Sequence, residues 1–81
     1  VNTAATFAIR ARIMHRMGER GISVSSLAGQ ASVPRARLVR RLNAPETFYL
    51  DEFERVADAL DVPPGWLLCG DAGAERLKAW R

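Results

Sequence analysis

Four arginines, Arg35, Arg37, Arg40 and Arg41, fall within seven residues with no acid among them. Val33-Pro34 closes this run on one side and Asn43-Ala44-Pro45 on the other, so it has room for one short helix. Leu38 and Leu42 stand four residues apart, about 40° apart on a helical wheel, and give that helix a single side to bury. The direction opposite them passes through Arg40, flanked by Ala36 and Arg37. Arg35 and Arg41 lie to either side. Upstream, Ser25 to Ala31 is a second short apolar segment, with Leu27, Ala28 and Ala31 as its buried content. Such a chain must fold as two short helices joined by a tight turn, the second held by its leucines and presenting arginine to solvent.

The rest of the chain is also punctuated as helices. Ile9, Ile13 and Met17 recur every four residues between 4 and 20, flanked by Phe7 and Met14, with Thr3 or Thr6 at the start and Gly18 and Gly21 at the end. Ser23 or Ser25 caps the second helix. Pro34 suits the first turn of the third, and Asn43 its left-handed end. Residues 45–49 form a loop. A fourth helix, Leu50 to Leu60, buries Phe53, Val56, Ala57 and Leu60, while Asp51 and Glu52 favour its N-terminal dipole. Pro64 opens a fifth around Trp66, Leu67 and Leu68, ended by Gly70, and residues 72–81 have the apolar spacing of a sixth in Ala74, Leu77 and Trp80. No segment has the period of a β-strand.

Eighty-one residues make one domain, 1–81, with a modest core. No apolar run approaches the roughly 18 residues of a membrane span, and no signal-peptide h-region is present. One cysteine, Cys69, and one histidine, His15, leave no internal disulfide and no zinc set, so the expectation is no metal, no cofactor and a reducing bacterial cytoplasm. Charge is polarised: residues 1–45 carry +7 and residues 46–81 carry −4. A basic half facing a polyanion and an acidic half facing away account for this. A GC-rich genome explains eleven arginines against one lysine, but not their clustering.

A helix of this kind fits the major groove of double-stranded DNA. Arg35, Arg37 and Arg40 are the candidates for base edges, chiefly guanine O6 and N7, with Ala36 allowing close approach or touching a thymine methyl. Arg41, Ser23, Ser25, Asn43 and Thr47 are the candidates for phosphate, helped by backbone N–H groups at the start of the second helix. A charged run is most often only a solvated face, and the paired-helix context decides against that here. His15 reads as a surface histidine, Cys69 as a small packed residue, and the serines as caps, since no partner for acid–base or nucleophilic chemistry accompanies them. Catalysis is not expected.

From Ile22 to Leu68 the chain resembles the Cro/CI-type (XRE-like) helix-turn-helix family of phage repressors. The resemblance rests on Leu27-Ala28; on Val33, Leu38, Arg40, Arg41, Leu42 and Asn43; on Leu50 to Phe53; on Val56 to Pro63; and on Trp66-Leu67-Leu68. It implies an all-α, five- to six-helix lambda-repressor-like fold, with the helix-turn-helix at about 25–42 and the helix over 34–42 as reader. Four departures stand out. Ser32 occupies a turn position where the family often has Gly. Val24 replaces a Gln that hydrogen-bonds phosphate. Met17 and Leu42 replace an Arg–Glu pair with an apolar contact. Asp61 and Tyr49 stand where Gly and Ser or Thr usually end and begin the fourth helix.

The expected function is sequence-specific binding of an operator as a transcriptional repressor, of the phage or prophage immunity type, either as a homodimer on paired half-sites or as a monomer. Trp66, Leu77 and Trp80 are the candidate dimer or partner surface. The alternative is an antitoxin or accessory regulator that uses the fold chiefly to bind protein. No small-molecule ligand is indicated.

Overall fold

The computed structural model describes residues 3–70, with side chains from Thr6 onward. They form α1 (Thr3–Arg20), α2 (Val24–Ala31), α3 (Arg35–Asn43), a single 3-10 turn (Pro45–Thr47) and α4 (Leu50–Leu60), followed by α5, residues 64–70. Helices α2 and α3 form the tight pair, α4 packs across α2, and α1 lies against α4. Ile13, Leu27, Leu38, Val56, Leu60 and Leu67 are fully buried, so every helix sends at least one side chain into a common core. Met17 and Leu42 both belong to it, and Trp66 packs half-buried against it. Residues 72–81, including Leu77 and Trp80, lie outside the described residues.

Three helices end in the same way. After α1, Gly21 is left-handed at φ 64°, and Ile22 N–H donates back to Met17 O at 3.1 Å. After α2, Ser32 is left-handed at φ 56°, and Val33 N–H reaches Ala28 O at 3.0 Å. After α4, Asp61 is left-handed at φ 58°, and Val62 N–H reaches Ala57 O at 3.0 Å. In each case a residue of positive φ turns the chain, and the β-branched residue after it packs on the core. This is the Schellman closure. Serine and aspartate adopt here a conformation that costs an L-residue about 1–2 kcal/mol.

Helix α3 ends differently. Asn43 is its last helical residue and not a left-handed cap; Ala44 follows in a non-helical conformation at φ −141°, ψ 72°. The reason is Pro45, whose ring disfavours helical backbone in the residue before it. Other starts also move. Ser23, not Ser25, caps α2, accepting the Ser26 N–H at 3.1 Å. Pro34 sits just before α3, its carbonyl accepting the Leu38 N–H at 2.9 Å. Thr6 lies inside α1. Cys69 is exposed and not packed.

Arginines of α1 tie the far ends of the bundle together. Arg12 Nη1 donates to the carbonyls of Leu67 and Leu68 at 3.0 and 3.1 Å, and Arg16 Nε to the Leu60 carbonyl at 2.8 Å. Both guanidiniums thus bind carbonyls at or near the C-terminal ends of α4 and α5, where the helix dipole favours a cation.

Candidate nucleic-acid interface

Leu38 and Leu42, 0% and 5% exposed, fix the rotation of α3 about its axis. Rotation then decides the rest. Arg35, Ala36, Arg37, Arg40 and Asn43 are exposed, whereas Arg41 is only partly so. Ser23 and Ser25, at the start of α2, are exposed as well. Ser25 and the first turn of α3 meet directly, because Arg35 Nε donates to Ser25 Oγ at 2.9 Å. The tip arginine is therefore oriented by the neighbouring helix. Among the described residues the Arg40 guanidinium makes no hydrogen bond or ion pair.

The other two arginines of α3 share one carboxylate. Arg37 and Arg41 are one turn apart and line the edge of α3 that faces the start of α4. Glu52, in the first turn of α4, is 2% exposed. Its Oε1 accepts from Arg41 Nε at 3.1 Å and from the Tyr49 backbone N–H at 3.1 Å. Its Oε2 has no hydrogen-bond partner and lies 3.6 Å from Arg37 Nη1. The Arg41 guanidinium also stacks over the Tyr49 ring, 5.1 Å from its centroid, within range of a cation–π contact. Burial by itself raises the pKa of Glu52. The Tyr49 N–H, the bond from Arg41 and the charges of Arg41 and Arg37 lower it, and together they prevail, holding the carboxyl below its ordinary 4.5.

The sequence-based site residues are thus sorted by their surroundings. Ala36, Arg37 and Arg40 share the outer surface of α3, and Arg35 is exposed at its tip beside Ser23 and Ser25. Arg41 is not the open flank expected for a phosphate ligand: its side chain is 19% exposed and is held by Glu52. Thr47 is exposed, but its hydroxyl donates to the Ala44 carbonyl at 2.6 Å, which removes the proton it was expected to offer phosphate. Trp66, a candidate for a dimer or partner surface, packs half-buried against the core.

By sequence alone Glu52 is only an acid that favours the dipole of α4; in the fold it is the counter-ion of α3. The available signal was its place three residues after Tyr49, the spacing at which an N3 glutamate reaches back to the N-cap N–H. Tyr49 contributes that N–H but no side-chain cap, and its ring serves Arg41 instead.

Two short helices at a tight turn, the second buried through two leucines and presenting guanidiniums outward, make a unit shaped for a DNA groove. The family model for the Cro/C1-type HTH DNA-binding domain matches residues 12–68, more than half of the chain. The chain belongs to this family. The match begins at Arg12 and ends at Leu68, whose carbonyl accepts a hydrogen bond from Arg12, so it takes in the second half of α1, all of α2, α3 and α4, and most of α5. Comparison with curated proteins and with solved structures returned no match. As a Cro/C1-type domain the chain is a DNA-binding protein, all-helical through the described residues. None of those helices is long and apolar enough to cross a membrane.

Proposed function

We propose that this Cro/C1-type domain binds an operator sequence-specifically and acts as a transcriptional repressor, of the kind that maintains phage or prophage immunity. One observation carries the reading: Leu38 and Leu42 lock α3 so that Ala36 and Arg40 point away from the core, with the Ser25-braced Arg35 exposed at the helix tip. Arg40 and Arg35 read base edges, where a guanidinium matches guanine O6 and N7 with two parallel bonds, and Ala36 lets the helix approach closely. Arg37 is a third reader on the edge toward Glu52. Ser23, Ser25 and Asn43 take phosphate, a role that Val24 cannot fill. Occupying the operator excludes polymerase or a competing regulator.

Selection of bound sites from random duplex DNA, followed by salt titration on the winning site, tests this. The expected result is a defined consensus and a log K that falls by about 0.9 per phosphate contact as log salt rises. A palindromic consensus means a homodimer on half-sites about one helical turn apart, and an asymmetric one means a monomer. Recovery of no consensus, with only weak sequence-independent association, refutes the reading and favours a protein-binding role for the fold.

A further inference from the structure

Resting on that reading, we propose that Glu52 is a positioning residue that sets the specificity of DNA recognition by acting as the internal counter-ion of α3. It withholds Arg41 from phosphate altogether. It releases Arg37 only where a base pair offers a better acceptor.

The two arginines are held unequally. Arg41 donates a hydrogen bond from Nε at 3.1 Å, is 19% exposed, and stacks on Tyr49. Arg37 is 46% exposed and approaches the second oxygen only to 3.6 Å, without a hydrogen bond. The carboxylate itself cannot leave. It sits in the first turn of α4, bonded to the Tyr49 N–H, and α4 is pinned by Phe53, Val56, Ala57 and Leu60 in the core. Arg37 therefore faces a choice between a fixed internal anion and DNA. A single phosphate oxygen on arbitrary sequence gains little over the carboxylate it replaces. A guanine edge presents O6 and N7 together and can take both guanidinium bonds at once. Without Glu52, the edge of α3 would carry two unneutralised guanidiniums, which attach to any phosphate backbone and blur the discrimination made by Arg40 and Arg35.

The test compares the unmodified domain, E52Q and R37M on the selected operator and on an unrelated duplex, across a salt series. Folding of each is checked by circular dichroism. E52Q keeps an acceptor for the Tyr49 N–H but removes the charge. It is expected to bind unrelated duplex more tightly, with a salt slope steeper by about 0.9 for each arginine released, and to show a lower operator-to-unrelated ratio. R37M leaves the Arg41–Glu52 pair in place. It is expected to lose affinity for the operator while its slope on unrelated duplex stays unchanged. A folded E52Q with the parent's slope and ratio overturns the proposal. So does an R37M slope on unrelated duplex that falls by about 0.9, which would put Arg37 on phosphate already. If E52Q does not fold, R37M alone decides. If the unmodified domain selects no operator, the repressor reading fails first, and the slopes on unrelated duplex still report on Glu52.

Discussion

The guanidinium of Arg41, on the arginine-rich helix α3, is bonded at 3.1 Å to Glu52, the one charged side chain buried among the described residues. That pair joins α3 to α4 on the flank of α3 where the sequence places an exposed arginine. Its energetic meaning is asymmetric. Removing both partners costs little, whereas removing one strands a buried charge.

Glu52→Ala is accordingly expected to destabilise the domain by about 3 kcal/mol, read from urea unfolding, by leaving Arg41 unpaired. The double variant Glu52→Ala with Arg41→Met should recover part of the loss. Equal destabilisation by the single and double variants would show that the pair does not act as a unit.

Stability should depend on pH through the same carboxyl. Its folded-state pKa lies below the unfolded value, so its contribution is present above about 4.5 and is lost as pH falls through the lower folded value. Tyr49 N–H, Arg41 and Arg37 are the groups that face it and all favour its charged form. The midpoint of thermal unfolding should drop as pH falls below about 4.5, and the drop should be smaller in E52Q.

Ser32 and Asp61 hold left-handed backbone that glycine adopts without a steric penalty. Ser32→Gly and Asp61→Gly are each expected to stabilise by about 0.5–1 kcal/mol, after the greater flexibility of glycine in the unfolded chain is subtracted. Gly21→Ala should destabilise by about 1 kcal/mol on conformational grounds alone, since no atom lies within 4 Å of the added Cβ. Chemical denaturation measures all three.

For DNA binding, Arg40→Ala should cost about 1–3 kcal/mol on the selected site and relax preference at one base position. Ser25→Ala should have a smaller effect on affinity and broaden preference at the base read by Arg35, because it removes the brace at 2.9 Å. Leu38→Ala should instead cost about 2–5 kcal/mol of folding stability. Site selection repeated on each variant separates base reading from folding; a Leu38→Ala protein as stable as its parent would show that Leu38 does not anchor α3.

Much of this protein was determined by local order in its sequence. The spacing of Ile9, Ile13 and Met17, of Leu38 and Leu42, and of Phe53, Val56, Ala57 and Leu60 placed the helices and the side each one buries, because a helix repeats every 3.6 residues whatever surrounds it. Gly21 and Pro45 marked breaks through their own backbone geometry. The wheel of α3 separated outward Arg40 from inward Leu38 for the same reason. Tertiary structure alone decided the fate of individual charges. Arg12 and Arg16 bind carbonyls 44 to 56 residues away, and Glu52 meets Arg41 eleven residues upstream across two helices. Such pairings depend on where helix axes cross and which ends abut, which no periodicity encodes. The arginines that look alike in the chain are therefore distinguished in the fold by which anion or carbonyl lies within about 3 Å, the range over which a charge-assisted bond competes with water.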